Sequence, residues 1–262
     1  MVHFVGAGSG AVDLITVRGA RLLEEADVII YAGSLVNPEV LSYASEKAQI
    51  YNSALMTLEE VIEVIKSAEA EGKTTVRLHT GDSSIYGAVR EQFDLLEELG
   101  IDYDVCPGVS SFCGAAASLK AEYTLPDVSQ TVIITRTSGR TDVPEKESIQ
   151  SLASHNATMI FFLSTGLTEK LRRELLEGGM KKDTPVAIVY KATWPDEKIF
   201  HCTIDTLADC AKENHLTKTA LIIVGNVLGN EYQRSRLYAP DFTTEFREAS
   251  QAEGGQGKKD NA

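Results

Sequence analysis

Residues 2–11, VHFVGAGSGA, form an apolar run followed by a glycine-rich loop. The run Val2–Val5 has the length and composition of a buried β-strand. The loop Gly6–Ala11 matches the pattern GxGxxA, whose glycines let the backbone approach a ligand at the start of a helix. The segment Val12–Ile15 delays that helix, and Thr16 is its predicted N-cap. The stretch therefore predicts the strand, loop and helix that open an α/β fold.

Apolar runs and amphipathic segments alternate along most of the remaining chain. Thr57 and Glu60 form a predicted capping box at the start of one helix, and Gly72 ends it. The alternation predicts α/β architecture with largely parallel pairing in at least the first half. The further predicted strands are Val28–Tyr31, Val76–Leu78, Tyr103–Val105, Val132–Thr135, Met159–Leu163, Val186–Tyr190, Ile199–Thr203 and Ala220–Val224.

The domain organisation is predicted from the length of the chain and from a change in the sequence pattern near Leu119–Ser129. A chain of 262 residues is long enough for two domains, which we place at residues 1–119 and 120–245. The tail 246–262 is polar and glycine-rich from about Ser250, and we predict that it is disordered.

Composition and charge narrow the class of protein. The chain is 43% hydrophobic and carries a formal net charge of −13, which argues against a nucleic-acid partner. It has no apolar run of about 18 residues and no signal peptide, so we expect no membrane span and a cytoplasmic location. Its cysteines form no CxxC, and it contains neither HExxH nor GxSxG, so we predict no metal site and no serine nucleophile.

The glycine loop alone leaves two interpretations open. A dinucleotide site requires an acidic residue at the end of the second strand, which instead ends Tyr31-Ala32-Gly33-Ser34. A nicotinamide site therefore fits poorly. A tight turn that binds no ligand fits the loop as well as a ligand-binding turn does.

Longer segments resemble the tetrapyrrole (corrin/porphyrin) methyltransferases, over about residues 2–247. They are GAGSGAVDLITVRGARLLEEADVIIYAGSLV from Gly6, HTGDSSIYG from His79, CPGVSSFCGAAA from Cys106, VSQTVIITRTSGRTDVP from Val128, VYKATWPDEKI from Val189, TALIIVGNVLG from Thr219 and YQRSRLYAPDF from Tyr232. Two loops depart from the family. GAGSGAV stands where GAGPGDP is usual, and Ser83 stands where TGDP has proline. The glycines are kept, so the first loop is expected to shape the site.

The resemblance implies two α/β domains, a parallel-sheet N-terminal one and a mixed-sheet C-terminal one, with the active site in the cleft between them. It implies a homodimer and methyl transfer from S-adenosylmethionine, as cosubstrate, to a ring carbon of a polycarboxylate tetrapyrrole. Four segments, AGSLVNP, QTVIITR with the following GRT, YKATWPDEK and SRLYAPDF, resemble the branch that methylates carbon 11 of precorrin-4 or its cobalt complex in cobalamin synthesis. Such a transfer mainly requires holding both reactants at near-attack distance, without a covalent intermediate.

The resemblance assigns cofactor contacts to turns and strand ends. For Ser110 and Ser111 the alternative to cofactor binding is plain N-capping of a helix. For Leu163 and Ala192 the alternative is packing in the core. The cofactor set is Ser9, Thr80, Gly81, Asp82, Ile85, Tyr86, Ser110, Ser111, Leu163, Ala192, Thr219, Ala220 and Leu221.

A polycarboxylate substrate needs a locally basic pocket on this acidic chain. For each cation the alternative is a solvated surface charge, and Trp194 could instead be a packing residue. The substrate set is Arg136, Arg140, Lys191, Trp194, Lys198, Arg234 and Arg236. Asp82, Tyr86 and Asp104 are available as proton acceptors, but the sequence singles out none of them as catalytic.

Three alternatives to this function remain. The first is another precorrin or uroporphyrinogen C-methyltransferase of the same family. The second is a nicotinamide-binding oxidoreductase that uses the GxGxxA loop. The third is a binding module without catalysis, which the altered first loop motivates.

Overall fold

The computed structural model describes residues 1–250, and within them the chain forms two five-stranded sheets. The strands of the first sheet are β1 (Val2–Gly6), β2 (Val28–Tyr31), β3 (Gln49–Asn52), β4 (Thr75–His79) and β5 (Tyr103–Cys106). All pairs in it are parallel, in the order β3-β2-β4-β1-β5. Gly6 lies opposite His79 and Val5 opposite Cys106, so the loops after β1, β4 and β5 leave the same edge.

The second sheet is mixed. Its strands are β6 (Val132–Arg136), β7 (Thr158–Phe162), β8 (Pro185–Tyr190), β9 (Lys198–Thr203) and β10 (Ala220–Val224). They follow the order β6-β7-β10-β8-β9, where only β6 and β7 pair in parallel. The predicted fold class, a parallel sheet followed by a mixed sheet, is confirmed.

The helices begin and end at residues suited to those positions. Thr16 caps the first helix by accepting a bond from the Gly19 N–H at 3.0 Å, and Thr57 with Glu60 forms the predicted capping box. Gly100 ends the third helix with a φ of 67°. In the described range the helices are α1 (Val17–Glu25), α2 (Leu58–Ala70), α3 (Arg90–Leu99), α4 (Ser111–Leu119), α5 (Ile149–Ala153), α6 (Thr168–Glu177) and α7 (Leu207–Glu213).

Each sheet is buried on both faces, as expected for layers covered by helices. In β1, Val5 packs in one apolar cluster with Leu23 of α1, whereas its neighbour Phe4 packs in another with Ile65 of α2. Ala115 of α4 joins a cluster with Ile160 and other residues of the second sheet. Helix α4 therefore begins beside the first sheet and packs against the second. The predicted domain division at residues 119 and 120 stays a prediction.

Two differences from the sequence-based prediction concern the ends and edges of the sheets. Strand β3 was not predicted, because Gln49–Asn52 is an edge strand with a polar residue at each end. Strand β7 ends at Phe162, so Leu163 follows the strand and has a φ of 51°. Of the predicted tail, residues 251–262 lie outside the described residues, and Ser250 N–H donates to the Pro240 carbonyl at 2.9 Å. Within the described residues, no helix is long and apolar enough to cross a membrane.

Candidate active site

Three glycine loops meet at the edge where β1, β4 and β5 end. Gly8 and Gly81 form a backbone bridge, with N···O distances of 3.3 and 2.9 Å. A Cβ on Gly108 would lie 2.1 Å from the Gly81 carbonyl oxygen, and one on Gly6 would lie 2.6 Å from the same oxygen. Side chains at these positions would force the loops apart, so the contact requires glycine.

Asp82 joins two of these loops. One carboxylate oxygen accepts the Ser84 N–H at 2.9 Å, and the other accepts the Gly108 N–H at 2.7 Å. Partial burial acts to raise the pKa of Asp82, but the hydrogen bond from the Ser84 hydroxyl at 2.5 Å, together with those from the Gly108 and Ser84 N–H groups, outweighs burial and keeps the pKa below its ordinary value. The carboxylate is therefore ionised near neutral pH and engaged in fixing the loops.

A cavity of about 720 Å³ lies between the strand ends of the two sheets, beside these loops. Its size is typical of a small-molecule site. Every residue of the predicted cofactor set lines it, from Ser9 and Thr80 on the first sheet's side to Leu163 and Thr219 on the second's. Residues far apart in sequence thus come together on one surface, while their individual roles stay predictions.

Several polar groups beside the cavity have no hydrogen-bond partner among residues 1–250. Ser110 stands at the N-cap of α4, but its side chain makes no capping hydrogen bond. The buried Thr80 Oγ1 and His79 Nε2 have no hydrogen-bond partner. Burying unpaired polar atoms is costly, so these positions fit a ligand that supplies partners. An open helix N-terminus additionally favours an anionic group.

Four non-glycine residues on the cavity wall have positive φ. They are Tyr86 (55°), Leu163 (51°), Lys191 (48°) and Thr219 (58°). Such a conformation costs about 1–2 kcal/mol per residue. Backbone strain of this kind is concentrated at functional sites, which supports the cavity as the active site.

A sequence model of the family described as tetrapyrrole (corrin/porphyrin) methylases matches residues 1–208. The chain belongs to this family. It is 54% identical, over 95% of its length and 96% of the relative's, to a cobalt-precorrin-4 C(11)-methyltransferase of Methanocaldococcus jannaschii. Family membership favours methyl transfer over the nicotinamide alternative.

Solved structures of tetrapyrrole methylases share this fold. An X-ray structure of a cobalt-precorrin-4 methyltransferase of cobalamin biosynthesis matches with a TM-score of 0.86 and 46% identity, over 87% of this chain and 96% of that one. A uroporphyrin-III C-methyltransferase from Thermus thermophilus, complexed with S-adenosyl homocysteine, matches with a TM-score of 0.72 and 25% identity. Those matched regions are 87% of this chain and 92% of the neighbour.

In this tetrapyrrole methylase the cavity brings together only part of the predicted substrate set. Arg140, Lys191 and Trp194 line it. The Lys191 ammonium pairs with Asp196 at 2.6 Å and lies 4.9 Å from the centre of the Trp194 ring. The cavity wall thus combines cations with an aromatic surface, although the whole chain carries a net charge of −13.

The other four predicted cations do not line the cavity. Arg136 donates to the carbonyl oxygens of Thr141 and Asp142, and Arg236 lies 3.7 Å from Asp241. Lys198 and Arg234 are exposed away from the cavity wall. Their assignment rested on family segments and charge, which do not show where a side chain points.

Sequence reasoning also missed residues that line the cavity. His79 precedes the predicted Thr80, and Lys218 precedes the predicted Thr219, so neighbourhood in sequence was an available signal. Burial, and secondarily the Arg77 charge, lowers the pKa of His79 to about 3. The His79 imidazole is therefore neutral at physiological pH. No cluster of three or more metal-binding side chains occurs in the part of the chain that the structure describes.

Proposed function

We propose that this protein transfers the methyl group of S-adenosylmethionine to carbon 11 of cobalt-precorrin-4, giving cobalt-precorrin-5 in cobalamin biosynthesis. The observation that carries the proposal is full-length similarity to proteins with that name, at 54% identity for the Methanocaldococcus jannaschii relative. Metal-free precorrin-4 is the second candidate substrate, because a precorrin-4 C(11)-methyltransferase of Pseudomonas aeruginosa is also 42% identical to this chain, over 94% of its length. Cobalt enters this proposal only as part of the substrate, and no protein-bound metal is included.

The cavity fits the cosubstrate, which supplies an electrophilic methyl group on a positively charged sulfur. Glycine at position 81 lets the loop after β4 lie close to the start of α4, since a Cβ there would be 3.3 Å from the Ser110 Cα, and it leaves the neighbouring backbone open to a ligand. Ser110, Ser111 and the open N-terminus of α4 suit a carboxylate. The free Thr80 hydroxyl offers one further hydrogen bond.

The remaining lining residues suit a large apolar ring that carries acidic groups. Ile85, Tyr86, Phe162 and Leu163 provide an apolar wall that excludes water from the reacting atoms. Tyr86 is 45% exposed and Leu163 63% exposed, so both offer surface that a ligand can cover. These residues position the reactants, and positioning is the main requirement of a transfer from an already activated donor.

The substrate's carboxylates meet the cations of the cavity wall. Arg140, Lys191 and Lys218 lie there, and Asp82, the carboxylate among the lining residues, is engaged with Ser84 and Gly108. Arginine binds carboxylates through paired hydrogen bonds, which suits acetate and propionate groups.

We assign no catalytic acid or base. Asp82 is held below its ordinary pKa, and burial raises the pKa of Tyr86 even though Arg136 partly opposes it. Asp104 bonds His3 at 2.7 Å on strand β5, away from the cavity. Proton release to solvent completes the reaction in this proposal.

We further propose a cytoplasmic homodimer. The dimer is supported by the segment 229–250, in which Tyr232, Tyr238 and Phe246 are 58%, 81% and 96% exposed. Such exposed aromatic side chains are typical of protein interfaces. Light scattering on the purified full chain should give twice the monomer mass. The variant Tyr238→Ser with Phe246→Ser should give a larger monomer fraction, whereas a monomeric wild type would exclude the dimer.

The test of the activity is an anaerobic incubation of the purified protein with S-adenosylmethionine and one of three substrates. These are cobalt-precorrin-4, precorrin-4 and uroporphyrinogen III. Mass spectrometry should show one added methyl group with cobalt-precorrin-4, and NMR should place it at carbon 11. Faster methylation of metal-free precorrin-4 would move the assignment to that substrate. Methylation at another ring carbon, or of uroporphyrinogen III, would overturn it. Binding of S-adenosylhomocysteine without turnover of any substrate would support the non-catalytic alternative.

A further inference from the structure

The turn between β8 and β9 is hydrogen-bonded to the first glycine loop, far away in sequence. Thr193 Oγ1 lies 3.0 Å from Ser9 Oγ and accepts the Ala11 N–H at 3.0 Å. Ser9 is only 4% exposed. A Cβ on Gly114 of helix α4 would lie 2.7 Å from the Ser9 Cβ, so the pair is enclosed by a third element. The contact therefore joins the two sides of the cavity through the buried Ser9 and the half-buried Thr193.

The turn has an unfavourable backbone conformation that these contacts hold in place. Thr193 has a φ of 67°, which β-branched residues rarely adopt. Its N–H donates to Glu197 Oε2 at 2.5 Å, and the same oxygen accepts the Ser118 hydroxyl at 2.6 Å. Thr193 is thus fixed through its backbone from one side and through its hydroxyl from the other. A strained backbone conformation persists only where the surrounding contacts hold it in place, and such residues are concentrated at functional sites.

The residues on either side of Thr193 form part of the cavity wall. Lys191 and Trp194 both line it. A Cβ on Gly10 would lie 2.1 Å from the Trp194 Cδ1, so the indole rests directly on the glycine backbone. The Gly10 carbonyl accepts a hydrogen bond from Asn37 Nδ2 at 2.9 Å, which fixes that surface. The position of the Trp194 ring is therefore set by the loop to which Thr193 is bonded.

We propose that the Ser9–Thr193 pair is a latch that positions Lys191 and Trp194 for binding the tetrapyrrole. Thr193 and Ser9 are positioning residues, because they act through their neighbours and not by touching the reacting atoms. The proposal rests on the proposed function for the identity of the substrate. It goes beyond that function by assigning tetrapyrrole affinity to two hydroxyl groups outside the predicted substrate set.

Trp194 is the single tryptophan of the chain, so its fluorescence reports the turn directly. The variants are Ser9→Ala, Thr193→Val and the double variant. Thr193→Ser tests rescue, and Thr203→Val, which removes a hydroxyl bonded to Thr206 in the same half of the chain, is the matched control. Valine keeps the β-branched shape at position 193. The measurements on full-length protein are acrylamide quenching of Trp194, S-adenosylhomocysteine affinity by calorimetry, and kcat and KM for cobalt-precorrin-4.

We expect Ser9→Ala, which removes one hydrogen bond, to increase the quenching constant about twofold and the KM about threefold. Thr193→Val also removes the acceptor of the Ala11 N–H, so its KM should rise further, up to about tenfold, with kcat within about twofold. The double variant should be no worse than the more affected single variant, because both remove the same pair. Thr193→Ser and Thr203→Val should resemble the wild type. Thr193→Val should also keep its affinity for S-adenosylhomocysteine, because Thr193 is not among the lining residues; Ser9→Ala does not serve for this comparison, because Ser9 lines the cavity and belongs to the predicted cofactor set.

Unchanged quenching and KM in both single variants would overturn the latch, as would fully additive effects. A lower melting temperature with unchanged KM would show a purely structural role and would also overturn it. If the wild type does not methylate cobalt-precorrin-4, the proposed function fails separately. The quenching series would then test the Ser9–Thr193 contact and its effect on Trp194, and the substrate named in the latch proposal would be wrong.

Discussion

The carboxylate of Asp82 accepts the backbone N–H of Gly108 at 2.7 Å, and this bond joins the loop after β4 to the loop after β5. The Ser84 N–H, at 2.9 Å from the other carboxylate oxygen, turns the loop after β4 back on itself. Asp82 lies beside Gly81, where the loops approach most closely. Its charge thus organises the cofactor side of the cavity through the backbone.

We expect Asp82→Asn to weaken both the fold and cofactor binding. An amide group has only one acceptor oxygen, so either Gly108 or Ser84 loses its partner, at a cost of about 1–3 kcal/mol in unfolding free energy. S-adenosylhomocysteine affinity should fall about tenfold, measured by calorimetry, because the loops around Gly81 loosen. Ser84→Ala is the comparison variant: it removes the Ser84 hydroxyl bond to Asp82 at 2.5 Å but keeps both backbone N–H bonds, so it should weaken binding less than Asp82→Asn. An affinity for S-adenosylhomocysteine equal to the wild type would contradict the proposed arrangement.

The variant Gly108→Ala tests the close approach of the loops. Its Cβ would lie 2.1 Å from the Gly81 carbonyl oxygen and 2.7 Å from the Gly6 Cα, and neither backbone atom can swing aside. We expect a loss of about 2–4 kcal/mol in unfolding free energy, measured by urea denaturation. Gly166→Ala is the matched control, because its Cβ would meet no atom nearer than 3.5 Å. This variant should lose less than about 1 kcal/mol of unfolding free energy. Equal losses in both variants would rule out the steric explanation.

The fold was predictable from sequence where patterns are local. The alternation of strands and helices, the Thr16 cap and the Thr57 capping box require only neighbouring residues, and all are observed. Strand β3 lacks such a pattern, because an edge strand is partly exposed and Gln49–Asn52 includes polar residues.

The candidate site was predictable where backbone position matters more than side-chain direction. Turns at strand ends, such as Thr80–Gly81, reach the cavity because parallel strands end at a common edge. Cations are different, since a long side chain can point either way and its partner is distant in sequence. Arg136 donates to the Thr141 carbonyl, and Lys218, which was not predicted, lines the cavity instead. The Ser9–Thr193 contact spans most of the chain and leaves no local signal.

The cavity cations should affect substrate affinity selectively. Arg140→Ala and Lys218→Ala should each raise the KM for cobalt-precorrin-4 about threefold to tenfold, because each removes a charge from the wall that meets carboxylates. The affinity for S-adenosylhomocysteine should stay within about twofold. The KM of the wild type should also rise with ionic strength, since salt screens exposed charges.

Two further arginines separate this prediction from a general charge effect. Arg173→Ala removes an exposed cation that lies 3.9 Å from Glu177, and we expect no change in KM. Arg234 was predicted from the sequence to bind the substrate, but its side chain is exposed away from the cavity. The variant Arg234→Ala should therefore also leave the KM for cobalt-precorrin-4 unchanged. A raised KM for Arg234→Ala would show that the segment around it reaches the substrate, in which case the cavity wall is incomplete as described.

His79 should make the protein sensitive to acid. Burial and the nearby Arg77 charge lower its pKa from 6.5 to about 3, so the unfolded chain takes up this proton at a higher pH than the native protein does. Between these values the unfolded state holds more protons, and the unfolding free energy falls as the pH decreases. One such histidine contributes at most about 1.4 kcal/mol per pH unit. Above pH 6.5 the contribution is constant, because the imidazole is neutral in both states.

We therefore expect His79→Phe, which keeps a ring against Phe4, to reduce the pH dependence of stability. Urea denaturation between pH 7 and pH 4 measures this slope, and the difference between variant and wild type isolates the His79 proton. His155→Gln controls for loss of a histidine, because His155 is exposed at the surface. Slopes that coincide for His79→Phe and the wild type would mean that His79 takes up its proton over the same pH range in the native protein as in the unfolded chain. Its unpaired Nε2 would then have a partner in solution, and the assignment of that atom to a ligand would be wrong.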